Sequence, residues 1–446
     1  MASQPGPSTG GESGALSPAG SARVGATSAR PVVVVGAGLA GLCCARELAR
    51  QDLPVLLLEA SSRVGGRVRT EVVDGYRLDR GFQVLQTAYP EAQRVLDYRA
   101  LRLKAFEPGA LIRAQGRWIR MSDPWRRPRR AWETLTNGLG TWSDRWKLAL
   151  LRRRVTRGSC ESLFAEPDST TADFLQRDMG FSPTLVEQFF RPWFSGVFFE
   201  DQLATSSRFF KFIFRMFALG DASLPEQGME EIPRQLASDI PASAIRCSTK
   251  VERIEGRTLQ LDSGETLEAA AIVLAVEGPE AARLSGGRVP SPASCATTCL
   301  HFAADRAPLP EALLVLNGEP QSGPINNLCV PSNVSGAYAP ARKALVSVSV
   351  VGAALRDTVD LESAVRRQLE EWFGREVAQW QLLRMDVIHH GLPAQPVGFM
   401  NHHRASPRLA EGLYCAGDHT ETASIHGAMV SGRRAAESVA QDLRDV

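Results

Sequence analysis

Hydrophobic and polar positions along this chain fall into distinct regimes. From Pro31 the sequence runs Val32-Val33-Val34-Val35-Gly36, a β-branched stretch with no polar break, the pattern of a strand buried on both faces. Ala40 to Arg50 then carries helix-forming residues, and Pro54 precedes a second apolar run, Val55 to Glu59. Strand, helix and strand in so short a span predict a βαβ unit with parallel strands. Between residues 90 and 224 the pattern shifts to helical segments rich in aromatic residues and arginine. A short helix is predicted over Ile232 to Ala237, and strands at Thr249 to Glu255 and Ala271 to Val276 read as a return to the first sheet. Strand-like stretches at Cys295 to Ala303, Ala312 to Leu316, Leu345 to Val350 and Gln381 to His389, with a helix over Leu361 to Phe373, predict a largely antiparallel second sheet. Gly412 to Val446 reads as a short strand, a Gly-Asp turn, a polar loop and a helix. No internal repeat of fixed period is present.

The 446 residues leave room for two or three domains around a sizeable core. Fifty-one basic against 49 acidic residues give a net charge of +2, too balanced for a chain built to neutralise nucleic-acid phosphates. No apolar run is long enough to span a bilayer. The eight cysteines lack the CxxC spacing of a metal site, and a chain of this size does not need disulfide staples, which together read as an intracellular, reduced protein. Residues 1–30 are mostly Ser, Gly, Ala, Pro and Thr, and cannot bury enough apolar area to order themselves. They read either as a disordered tail or as an organelle-targeting segment, plastid-like or mitochondrial; without the latter the protein is expected in the cytoplasm.

Within the βαβ unit lies Gly36-Ala37-Gly38-Leu39-Ala40-Gly41, a GxGxxG that follows a strand and opens a helix. Its glycines serve a tight turn, the approach of a pyrophosphate to backbone N–H groups, and packing of helix on sheet. Glu59 closes the next strand, 18 residues beyond Gly41, where a carboxylate can accept both ribose hydroxyls of an adenosine. A dinucleotide is therefore expected. The following run, Glu59-Ala60-Ser61-Ser62-Arg63-Val64-Gly65-Gly66-Arg67, resembles the second fingerprint of the flavin-dependent amine oxidoreductase superfamily, which takes in amine oxidases, protoporphyrinogen oxidase and carotenoid desaturases. Gly412 to Thr420 and Ser424 to Ala436 resemble that superfamily's C-terminal flavin motif, and Lys250 to Ile254 resembles the strand whose backbone contacts the adenine.

The resemblance implies an α/β protein: a discontinuous, Rossmann-like FAD-binding domain from residues 31–88, 222–290 and 411–446, and a mixed α+β substrate domain from 89–221 and 291–410. It implies noncovalent FAD held by Gly36, Gly38, Leu39, Ala40, Gly41, Glu59, Arg63, Gly65, Gly66, Arg67, Val251, Gly417, Asp418 and Ile425. No second GxGxxG is present for a nicotinamide cofactor, so hydride is expected from an organic substrate, with oxygen or a quinone reoxidising the flavin.

Two compositional clusters bear on the substrate. More than half of the 18 phenylalanines lie between Phe181 and Phe217, as ordinary core or as an apolar tunnel for a small lipophilic substrate. Between Arg113 and Arg157 there are 13 basic residues against three acids, with five of the eight tryptophans. That composition reads as a solvated basic face or as a peripheral membrane contact; no nucleic-acid module accompanies it, and no nucleic-acid partner is expected. The favoured reaction is dehydrogenation of a carotenoid- or isoprenoid-like substrate. The alternatives are an amine oxidase and a flavin-binding scaffold without turnover. Candidate proton carriers are His389, His390, His419 and above all His426, with Lys343 as the candidate for the amine reading.

Overall fold

The computed structural model describes residues 30–445 apart from 137, 291–292, 353–359 and 402–405. The predicted targeting segment, Arg30 excepted, lies outside the described residues.

The first sheet has six strands, in the order Ile245–Arg246, Val55–Leu58, Val32–Val35, Ala271–Leu274, Leu413–Cys415 and Arg408–Ala410. All neighbours are parallel except the last pair. The four valines of the central strand are fully buried, which is why the sequence carries no polar residue there. One face of the sheet packs under two helices, Leu39–Arg50 and Ile425–Arg444. These helices meet backbone to backbone: a Cβ on Gly432 would collide with the Ala40 carbonyl. The other face is covered by a three-stranded antiparallel sheet formed by Val251–Glu255, Thr258–Leu261 and Thr266–Glu268. The Val251 strand, expected in the first sheet, belongs to this covering layer. Its two apolar residues, Val251 and Ile254, stand three apart rather than two, and a register shift between Val251 and Arg253 lets both meet the core.

The second sheet has seven strands: Gln381–Pro393, Ser294–Ala304, Ala344–Val351, Asn327–Cys329, Leu314–Asn317, Gly109–Ala114 and Arg117–Ser122. It is antiparallel except where Leu314–Asn317 meets Gly109–Ala114. The last two strands fall in the region expected to be helical. They form a hairpin turning at Gln115-Gly116, both with positive φ, and that turn sits between two short runs in which buried and more exposed residues alternate only imperfectly. Arg408–Ala410 joins the first sheet although the sequence placed residues up to 410 with the second. Helices Trp142–Thr156, Arg191–Phe198 and Ser207–Leu219 complete the other half of the molecule. Most of the phenylalanines are core: Phe190, Phe194, Phe210 and Phe212 are fully buried, and the rings of Phe194 and Phe210 lie 4.5 Å apart.

Candidate functional site

The carboxyl ends of the parallel strands open onto a cavity of about 730 Å³. Gly36, Glu59 and Ala275, each directly after one of those strands, line it, as is usual at a switch point of an open parallel sheet. The glycine-rich turn is shaped by sterics. Gly36 has φ +103°, and a Cβ there would lie 2.6 Å from the Ala275 carbonyl oxygen. A Cβ on Gly41 would strike the Gly36 carbonyl, so this glycine lets helix Leu39–Arg50 start close against the turn. Gly38 is different: its φ is an ordinary −72°, and a Cβ would meet no protein atom nearer than Gly66 Cα at 4.0 Å. Since Gly38 lines the cavity, the room it leaves is room for a ligand.

Glu59 is fixed on both carboxylate oxygens. Oε2 accepts from the Ala37 N–H at 2.8 Å, and Oε1 accepts from the Ser61 N–H at 2.8 Å and the Ser61 hydroxyl at 2.7 Å. These bonds hold the carboxylate at the cavity wall with lone pairs left for hydroxyl donors. Arg67 donates to Asp418 Oδ1 at 2.6 Å and to the Gly391 carbonyl at 2.7 Å, tying the second fingerprint to the C-terminal motif across the cavity. Gly417 donates its N–H to Ser431 at 2.8 Å, and Ser424 caps the final helix by accepting from the Gly427 N–H at 3.0 Å. Ser424, Ile425 and Ala428 all line the cavity, so the positive end of a 20-residue helix is turned toward it. The wall thus combines a glycine-rich turn, a carboxylate that accepts from hydroxyls, a guanidinium and a helix N-terminus, the acceptor and donors a dinucleotide requires.

Of the expected cofactor residues, Gly36, Gly38, Leu39, Ala40, Glu59, Gly65, Gly66, Arg67, Gly417, Asp418 and Ile425 line this one cavity. Gly41 stands behind the turn. Arg63 and Val251 are not at the wall: Arg63 pairs with Glu71 at 3.0 Å and Glu230 at 3.9 Å, and Val251 is buried under its own small sheet. None of the expected proton carriers reaches the cavity. Lys343 is half-exposed and bound to Asp305 at 2.6 Å, and His389 and His390 are exposed on the edge strand Gln381–Pro393. His419 is packed against Gly417 with its Nε2 3.4 Å from Cys415 Sγ. His426 turns away from the cavity into aromatic core, stacked on Tyr89 at 5.6 Å and close to Phe212 at 5.4 Å. Its Nδ1 accepts from the Glu91 N–H at 3.4 Å, and burial pushes its pKa down to about 4. Position at the start of the last helix suggested a role for His426, but helical phase points the ring to the other side.

Sequence reasoning missed Val276 and Glu277, which line the nucleotide end, and the hairpin residues Gly109, Met121 and Ser122, which line the far end. The first pair had a signal, since both follow the Ala271–Leu274 strand. The hairpin had none, because its contact with the cavity depends on the second sheet. Phe189, Trp193, Phe199, Phe214 and Phe217 also form wall, so the aromatic segment supplies both core and cavity.

The fold and this wall define the dinucleotide-binding class of α/β protein, with the cavity between the two sheets. A family model for flavin-containing amine oxidoreductases matches residues 39–440. The chain belongs to that family: it is an FAD-dependent oxidoreductase. Among curated relatives, it is 30% identical over 159 residues to protoporphyrinogen oxidase 2, chloroplastic/mitochondrial, of Arabidopsis thaliana, covering 35% of this chain and 31% of that protein. It is 46% identical over 68 residues to putrescine oxidase of Kocuria rosea, covering 15% and 14% of the two chains. Each of these alignments thus spans a third or less of the relative's length. Among solved structures, cyclohexylamine oxidase from Brevibacterium oxydans superposes with a TM-score of 0.70 at 16% identity, over 93% of this chain and 99% of that one. An oxidoreductase from Methanosarcina mazei superposes with a TM-score of 0.72 at 17% identity, over 92% and 100%. At such identities these two carry the fold alone.

Proposed function

We propose that the protein dehydrogenates a lipophilic, polyene- or isoprenoid-like substrate, with noncovalent FAD supplying the two-electron acceptor for a hydride from a substrate C–H, and with oxygen or a quinone as the final electron acceptor. The observation that carries this reading is the character of the wall away from the nucleotide end. Phe189, Trp193, Val197, Ile213, Phe214 and Phe217 dominate it, and among the described residues no lysine or histidine lines the cavity. Its carboxylates at that end are already used: Glu107 is 3.5 Å from Arg130 and Asp123 is 3.2 Å from Arg152. An apolar wall of this kind excludes water and holds a lipophilic chain by shape rather than by charge. In this reading Gly38 and Gly66 admit the diphosphate, Glu59 takes the ribose, and the Arg67–Asp418 pair fixes the flavin end.

The amine oxidase reading has its own support, in relatives named for putrescine and cyclohexylamine. It requires a place for an amine, and Glu107 or Asp123 would have to leave its arginine to provide one. Anaerobic titration of the oxidised holoprotein separates the two. Polyenes delivered in detergent micelles are expected to bleach the flavin absorbance, with small primary amines leaving it intact. Bleaching by amines and not by polyenes overturns the proposal. The Ser-rich residues 1–30 support an organelle address; fused to a fluorescent protein they would concentrate it in plastids or mitochondria, and diffuse fluorescence would remove that reading.

A further inference from the structure

We propose that the outward stripe of helix Trp142–Thr156 docks on the headgroup layer of an anionic membrane, setting one mouth of the cavity against the lipid. The inner side of this helix is fixed by Leu151 and Val155, both fully buried, and by Asp144, 1% exposed. At about 100° per residue, Trp142, Trp146, Leu150 and Arg153 fall together on the opposite side. Trp142 is 68% exposed, Trp146 69% and Leu150 43%. Three large apolar side chains at i, i+4 and i+8 on the solvent side reverse the usual pattern of a surface helix.

The stripe is set in positive charge. Arg145 lies 4.9 Å above the Trp142 ring and Arg152 lies 4.9 Å above the Trp125 ring. Arg127, Arg129, Arg153 and Arg157 are exposed and form no ion pair among the described residues. The nearby acids are already engaged. Asp123 pairs with Arg152, and Glu133 faces Arg120 at 3.8 Å. Asp144 closes the helix N-terminus with Thr141 and accepts from Ser182. Tryptophan seats at the lipid–water interface and arginine finds phosphate there, so the complement of this face is an anionic headgroup layer. A second copy of the chain is the poorer complement, because a shared face would bring unpaired arginines against each other.

The location adds the functional consequence. Trp125 is 49% exposed and also lines the cavity, together with Leu148 and Arg152 of the same helix. A lipophilic substrate could pass from the bilayer to the cavity without crossing water. No helix among the described residues is long and apolar enough to cross a membrane, so the contact is peripheral. The substrate route rests on the reading of function above; the docking does not.

The test is flotation of the holoprotein with vesicles of phosphatidylcholine alone and of phosphatidylcholine with phosphatidylserine, with tryptophan emission recorded. Binding about ten-fold or more tighter to the serine-containing vesicles, weakened by salt and accompanied by a blue shift, is expected. Trp142→Ser with Trp146→Ser and Leu150→Ser should abolish binding, and Arg127→Glu with Arg153→Glu and Arg157→Glu should remove the preference for anionic lipid. Both variants should keep bound flavin and its bleaching by micellar substrate, which separates failure of docking from failure of the proposed reaction. Equal binding to the two vesicle types, or binding that neither variant changes, overturns the proposal. So does a concentration-dependent dimer in sedimentation that the tryptophan variant dissociates, which would assign the face to a second copy.

Discussion

Single residues in the glycine-rich turn separate folding from cofactor binding. Gly38 and Gly41 belong to one motif, but only Gly41 is crowded by protein atoms. Gly38→Ala should leave the melting temperature of the flavin-free protein nearly unchanged while lowering flavin occupancy, read from the visible-to-ultraviolet absorbance ratio. Gly41→Ala should destabilise the fold itself, by about 1–3 kcal/mol as overpacking does, and lower the melting temperature with it. Equal behaviour of the two variants would remove the assignment of Gly38 to ligand approach. Arg67→Ala strands Asp418, whose side chain is 7% exposed, so a loss of flavin together with a stability loss on the order of 3 kcal/mol is expected from denaturant titration.

Buried histidines set the acid limit. Burial pushes His426 and His301 down to about 4 from an ordinary 6.5. The unfolded chain therefore binds more protons between these values, and stability is lost as pH falls from about 6.5 toward 4. Asp79 works in the opposite sense: burial raises it to about 6, so its contribution is present at low pH and lost as pH rises through 6. With His426, His301 and His419 all held down by burial against Asp79 held up, melting temperature should fall on acidification below pH 6.5, and His426→Phe should flatten that fall while preserving the stack on Tyr89. An unchanged slope in the variant would show that His426 is not part of the acid response.

At the scale of elements, the crossing of helices Leu39–Arg50 and Ile425–Arg444 joins the two ends of the described chain. Contact at Gly432 brings the C-terminal helix against the helix that opens the glycine-rich turn, so the two flavin motifs are one packed unit. Gly432→Val should push these helices apart and cost stability and flavin together, in contrast to Gly38→Ala, which should affect flavin alone. The two strands Gly109–Ala114 and Arg117–Ser122 illustrate what local pattern conceals. Their apolar residues occur among arginines and tryptophans, and they become strands because Leu314–Asn317 offers a sheet edge for Gly109–Ala114 to pair with. Strand Ala344–Val351, buried at all eight positions between two core clusters, was legible without that help because it contains no charged residue.

For the whole molecule, the cavity wall runs from Gly36 to Ala428 and takes residues from both sheets and the helical half. A ligand filling it touches both sheets and the helical half at once. Flavin should therefore stabilise the folded state, by about 2.7 kcal/mol at a free concentration about 100 times its Kd. Calorimetry of flavin-depleted protein titrated with FAD would check this, and a melting temperature indifferent to FAD would show that the folded chain does not bind it.

The sequence by itself determined the βαβ unit, the dinucleotide turn, Glu59 and the C-terminal flavin motif. Each is local: a parallel strand must be apolar, a turn at a pyrophosphate must be glycine, and the spacing between them is set by one helix. Tertiary structure alone decided which side chains face the cavity. It withdrew Arg63 and Val251 from the wall, turned His426 into the core, left Lys343 in solvent, and brought Val276, Glu277 and the Gly109–Ser122 hairpin to the cavity. Helical phase and sheet pairing fix those directions. Both depend on contacts between residues far apart in the chain, which no short stretch of sequence encodes.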